Sequence, residues 1–233
     1  MINEKEVIAV ILFGGEGRRF GWHKPKQFFI VNGKTIAEYT LEAFENNSYV
    51  DNIIVVSSKE SIGDIKNLVK RFFKVSLIVE GGDNRTKSSM NGVLSIKNSD
   101  SFVLIHDGDR PLVTQGLINS IVENLTHEDA VIPCLEIVDT IAEISGEKVV
   151  NFLDREKLCR VQTPQGFRHE VIFKSYKMLN EMGKYDFPDD SSVVKYLGIS
   201  DVCIVRGEAR NIKITTMDDI SLMKFYLNEK EIS

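Results

Sequence analysis

Three glycines, Gly14, Gly15 and Gly17, are followed closely by four basic side chains, Arg18, Arg19, Lys24 and Lys26. Glycine lets backbone N–H groups approach an anion, and guanidinium and ammonium groups add fixed positive charge, so the combination suits phosphate. A loop that only turned the chain would not need so much charge. Further along, HDGDRP places Asp107 at the end of an apolar run, where an uncompensated carboxylate is costly. A hard cation shared with phosphate oxygens would compensate it, as Mg²⁺ does through one or two carboxylates plus substrate.

The elements that must position these groups follow from the apolar pattern. Val7–Phe13 is continuous and partly β-branched, which suits a strand covered on both faces. A helix is expected from Thr35, as N-cap, to Asn46, and then strands and helices alternate: strands at 52–57, 75–80, 102–105 and 130–135, helices at 62–72, 87–96 and 114–124. That rhythm predicts a mostly parallel sheet with helices on both faces, and such sheets bind ligands at the carboxyl ends of their strands. The glycine loop, GGDNRTKSS from Gly81 and HDGDRP all follow predicted strands. Around Ser145 and Gly146 the rhythm breaks into a hairpin of 140–144 with 149–152. A helix over 169–182, a short one near 192–197, a strand at 202–205 and a helix over 217–227 close the chain.

Two commoner phosphate loops are excluded. A dinucleotide fingerprint needs a glycine where Phe20 stands, and a Walker loop ending in Gly33, Lys34 and Thr35 needs one at Phe28; that triplet reads as a turn. With 233 residues, one domain spanning 1–233 is expected, and no run approaches the ~20 apolar residues of a membrane span. A net charge of −5 argues against nucleic acid as partner. Four scattered histidines disfavour zinc, and three widely spaced cysteines with no apolar segment in MINEKEV predict free thiols in the cytoplasm.

GGEGRR with PKQ, GGDNRTKSS, HDGDRP, the Asp139-Thr140 pair, QTPQGF, DDSS and NIKITT, in that order, resemble the cytidylyltransferases of the methylerythritol phosphate and ribitol phosphate type. The resemblance implies a three-layer Rossmann-like nucleotidyltransferase α/β fold with a mostly parallel sheet and a protruding β-hairpin arm at about 138–160. It implies transfer of cytidylyl from CTP to a polyol phosphate with loss of pyrophosphate, aided by Mg²⁺, in a homodimer whose arms complete each other's sites. The leading acceptor is 2-C-methyl-D-erythritol 4-phosphate. Ribitol 5-phosphate and a catalytically inactive nucleotide-binding subunit stay open as alternatives, the former because Pro188 stands where the methylerythritol enzymes commonly carry a Thr.

By the same resemblance Arg19 and Lys26 are the catalytic pair, joined by Asp107, also the metal carboxylate, and Lys213. Gly14, Gly15 and Gly17 would hold the triphosphate, while Gly82, Asp83 and Ser88 would bind cytidine, with Ser88 or Ser89 facing the ligand. Arg110 and Thr163 would contact substrate, and Thr140 and Arg155 on the arm would hold the neighbour's polyol phosphate. Asp109 is expected to pair with Arg110 and point away; Asp189 and Asp190 are expected to cap the helix near Ser192.

Overall fold

The computed structural model describes residues 2, 4–15, 20–22 and 24–229. Strands β1 (Glu6–Phe13), β2 (Ile30–Val31), β3 (Lys34–Thr35), β4 (Asn52–Ser57), β5 (Val75–Glu80), β6 (Ser101–Asp107), β7 (Ala130–Glu136), β8 (Ile141–Ser145), β9 (Lys148–Leu153), β10 (Cys159–Val161), β11 (Gln165–Arg168) and β12 (Cys203–Arg206) alternate with the helices below. These are α1 (Ile36–Glu45), α2 (Ile62–Leu68), α3 (Arg85–Leu94), α4 (Gln115–Asn124), α5 (His169–Met182), α6 (Asp190–Tyr196) and α7 (Met217–Glu229).

β1 is central because its side chains are apolar on both faces. Val7, Ala9, Ile11 and Phe13 pack with Leu41 and Phe44 of α1 and Leu117 and Ile121 of α4, whereas Ile8, Val10 and Leu12 pack with Val93 of α3 and Ile172 and Tyr176 of α5. Period-two alternation therefore feeds two helical layers, one on each face. The principal sheet runs β10-β7-β11-β6-β1-β4-β5, with β12 on β7. β1 pairs in parallel with both β4 and β6, so the chain order reverses between them. Ligand crevices form at such a reversal, beyond the strands' carboxyl ends.

Local signals hold at the predicted places. Thr35 caps α1 with a full capping box, its hydroxyl accepting from Glu38 N at 3.2 Å. Asn32 and Gly33 take φ of 48° and 83°, the left-handed pair that a two-residue hairpin needs, so the Gly33 turn joins β2 to β3.

Besides the short pair β2 and β3, two strands of the principal sheet escaped the sequence reading. β10 is antiparallel to β7, and β11 runs antiparallel between β6 and β7. Each is too short to show a period. β11 is admitted by long-range packing: a Cβ on Gly166 would lie 2.5 Å from Ile121 and 2.8 Å from Leu125. The expected hairpin is β8–β9, which forms its own two-stranded sheet apart from the principal one. Contrary to the expectation of three free thiols, Cys134 on β7 and Cys159 on β10 form a disulfide, with Cα atoms 5.6 Å apart; Cys203 is free. Among the described residues no helix is long and apolar enough to cross a membrane.

Candidate active site

The carboxyl ends of β1, β5 and β6 surround a cavity of about 320 Å³. Gly14 and Gly15 follow β1, Gly82 to Asn84 lie between β5 and α3, Arg85 opens α3, Asp107 and Asp109 close β6, and Lys26 and Lys213 come from segments distant in sequence. Of the residues singled out from sequence, Lys26, Asp107, Lys213, Gly14, Gly15, Gly82, Asp83 and Ser88 thus converge on one space. Gly17 and Arg19 lie outside the described residues.

Neither Gly14 nor Gly15 has a positive φ, and among the described residues no atom outside Gly15 and its chain neighbours lies within 4 Å of the Cβ that Gly15 lacks. Close approach by a ligand, rather than backbone strain, is what a glycine there permits. Ser88 faces the cavity and closes the loop before α3, its hydroxyl accepting from Gly82 N at 3.1 Å and donating to Asn84 O at 2.8 Å. Ser89 is fully buried and donates to Asp190 at 2.5 Å, which settles which of the two serines looks outward. Asp83 stands at the rim, paired with Lys87 at 2.8 Å.

Asp107 is the electrostatic centre. Its Oδ1 accepts from Arg85 Nε at 3.0 Å and its Oδ2 from Lys213 Nζ at 2.8 Å. Burial alone would raise its carboxyl, but Arg85 and Lys213 override that and hold it well below the usual carboxylate range. Both oxygens are therefore engaged by cationic side chains of the protein. Among the described residues no three His, Cys, Asp or Glu side chains converge as a metal-binding group. Asp107 and Asp109 line the cavity, which is the one or two carboxylates by which Mg²⁺ is held when substrate phosphates supply the rest.

Asp109 also departs from expectation. Instead of pairing with Arg110, its Oδ2 meets Lys26 Nζ at 2.5 Å and its Oδ1 lies 4.0 Å from Lys213 Nζ. Arg110 turns the other way and donates to Asn211 O at 2.8 Å. Proximity in sequence misled here, because adjacent residues leaving a strand point in different directions.

Arg110 and Thr163 line a second cavity of about 250 Å³, which shares Arg85, Asp107 and Lys213 with the first. The Thr163 hydroxyl is committed within the protein. Arg110 O can only accept, so the His106 Nε2 that lies 3.1 Å from it carries the proton. Burial pushes the His106 imidazole down to about 3, so the ring is neutral and Nδ1 must accept from Thr163 at 3.1 Å. Thr163 Oγ1 in turn accepts from Asp107 N at 3.1 Å. Thr163 thus fixes the backbone of Asp107 through its hydroxyl while lining the second cavity.

The sequence reading missed Arg85. Besides Asp107 it donates through Nη2 to Asp190 at 2.9 Å, and Asp190, fully buried, also accepts from Ser89 and Tyr176. Asp190 is thus an internal counterion, whereas only Asp189 caps α6, accepting from Ser192 N at 2.8 Å. One signal was available: Arg85 opens α3 with no acidic residue in its first turn, the wrong charge for a helix N-terminus unless carboxylates from elsewhere hold it. Thr140 and Arg155 line neither cavity; Arg155 sits at the base of the hairpin and donates to Val138 O.

The family model described as "IspD: 2-C-methyl-D-erythritol 4-phosphate cytidylyltransferase" matches residues 7–229. The chain belongs to this family. IspD relatives bearing that name include one from Lachnospira eligens, 37% identical over 94% of this chain and 98% of its own length. Another, from Clostridium perfringens, is 39% identical over 95% and 99%. The fold matches the crystal structure of the 4-diphosphocytidyl-2C-methyl-D-erythritol synthase of Anaerococcus prevotii with a TM-score of 0.83, at 28% identity over 96% of both chains. The IspD of Francisella tularensis matches with 0.81, at 28% identity over 95% and 99%. The three-layer α/β architecture is thus that of the IspD family.

Proposed function

We propose that the protein transfers cytidylyl from CTP to 2-C-methyl-D-erythritol 4-phosphate, releasing pyrophosphate. The observation that carries this reading is the wall common to the two cavities, Arg85–Asp107–Lys213. A triphosphate in the larger space and an acceptor phosphate in the smaller would meet across that wall, which is the geometry a direct transfer needs. An oxygen of the acceptor phosphate attacks the α-phosphorus, the bond from the α-phosphorus to the bridging oxygen breaks, and pyrophosphate leaves with that electron pair. No covalent enzyme intermediate is required.

Lys26 and Lys213 supply positive charge on the nucleotide side, with Arg19 as their expected companion, and Gly14 and Gly15 let the phosphates approach the backbone. On the acceptor side Arg85 and Arg110 offer guanidinium groups to a phosphate. Asp107 holds Arg85 and Lys213 in place between the two. Mg²⁺ is proposed to arrive with CTP, whose phosphate oxygens provide the ligands that the protein groups lack. The hairpin is proposed as the dimer arm: Val138, Ile144, Val149, Val150 and Phe152 are all more than half exposed there, and Thr140 and Arg155 travel with it.

The test is pyrophosphate release from CTP and Mg²⁺ with methylerythritol phosphate and with ribitol 5-phosphate at equal concentration. Turnover with the former is expected. Turnover confined to ribitol 5-phosphate, or absent with both in protein that binds CTP, would overturn the reading.

A further inference from the structure

The larger cavity is unusual for a triphosphate pocket in carrying as many acidic side chains as basic ones among its described lining: Asp83, Asp107 and Asp109 against Lys26, Arg85 and Lys213. Two of the acids have evident employment, Asp83 with Lys87 at the rim and Asp107 with Arg85 and Lys213. Asp109 is different. It meets Lys26 inside the cavity, with the two side chains only 15% and 12% exposed. Its other oxygen is buried without a hydrogen-bond partner among the described residues and faces Lys213 at 4.0 Å. A carboxylate so placed opposes an incoming phosphate unless it contributes something the site needs.

The geometry points to what that is. A lysine ammonium has three N–H donors on a flexible stem. One from Lys26 goes to Ile214 O at 2.8 Å and a second to Asp109 Oδ2. These two acceptors are tied to each other, because Ile214 N donates to Asp109 O at 2.8 Å. With two donors fixed, the direction of the third is set. We propose that Asp109 is a positioning residue for the cytidylyl transfer argued above. Together with the Ile214 carbonyl it aims the free N–H of Lys26 into the cavity, and its charge competes with the nucleotide's phosphates for the same ammonium. Turnover gains an oriented donor, while ground-state binding of the triphosphate is weakened.

This inference rests on the cytidylyltransferase reading, and two variants separate the orienting effect from the charge. Asp109→Asn keeps an acceptor oxygen beside Lys26 and removes the charge; Asp109→Ala removes both. Calorimetric titration with CTP is made with and without Mg²⁺, alongside kcat and KM with methylerythritol phosphate. Both variants are expected to bind CTP without Mg²⁺ about three- to tenfold tighter than wild type, from the loss of one partly screened like charge. The gain is smaller with Mg²⁺, which halves the charge the nucleotide presents. Asp109→Asn is expected to keep kcat within about threefold, whereas Asp109→Ala loses at least about tenfold through misaligned Lys26. A merely structural role would weaken binding and turnover together. Weaker CTP binding by both variants, an equal gain with and without Mg²⁺, or unchanged kcat in Asp109→Ala would each overturn the assignment. Weakening seen only with Mg²⁺ would also overturn it and make Asp109 a cation ligand. Wild-type protein that fails to bind CTP at all would instead remove the cytidylyltransferase reading, and this inference with it.

Discussion

Arg85→Met should destabilise the fold far more than a substitution at the edge of a cavity normally does. Arg85 is one-quarter exposed and joins Asp107, at 3.0 Å, to Asp190, at 2.9 Å, whose side chain has no exposed surface. Methionine keeps most of the volume and removes the charge. Asp107 retains Lys213, but among the described residues Asp190 is left with only neutral donors, the hydroxyls of Ser89 and Tyr176. Removing one member of a buried ion pair costs about 3–5 kcal/mol, because the remaining charge stays desolvated. For a chain of this size that is a fall in Tm of roughly 6–20 °C. Urea denaturation measures this, with Arg85→Met/Asp190→Asn as the compensating double variant. A loss below about 1 kcal/mol in Arg85→Met, or a double variant no more stable than the sum of its singles predicts, would refute the argument that Asp190 depends on Arg85.

Three further outcomes are expected. Because burial depresses the folded-state His106 pKa to about 3, below the unfolded 6.5, the unfolded chain binds the extra proton, and stability falls as pH drops from 6.5, by at most about 1.4 kcal/mol per unit. Urea midpoints between pH 7 and 5 should therefore slope less in His106→Gln, and parallel profiles would show that His106 protonates in place. Gly15→Val should leave Tm within about 2 °C, since none of the described residues beyond its chain neighbours stands within 4 Å of the added Cβ, yet lose CTP binding measured by calorimetry. Thiol titration in denaturant should find one thiol, that of Cys203, before reduction and three after; three without reductant would show the Cys134–Cys159 bond unformed.

Much of the scaffold was legible because its causes are short-range. The apolar run of β1 announced a strand buried on both faces, Thr35 announced a cap, and Ser145-Gly146 announced a hairpin, each from neighbours within a few residues. Alternating strands and helices then placed the carboxyl ends of β1, β5 and β6 together, so the sequence by itself determined the family, the parallel part of the sheet and where a candidate site is to be sought. The partners of the charged groups were decided only by tertiary structure. Asp109 lies beside Arg110 in the chain but pairs with Lys26, and Lys213 reaches Asp107 across more than one hundred positions. Asp190 reads as a second helix cap until Arg85 is folded against it, and the Thr163 hydroxyl is drawn to His106 and Asp107. β11 enters the sheet only because Gly166 lets α4 close over it. Apolar patterning is an average over many residues and survives local exceptions. The pairing of a buried charge depends on a few ångströms between segments distant in sequence, and that separation exists only once the chain has packed.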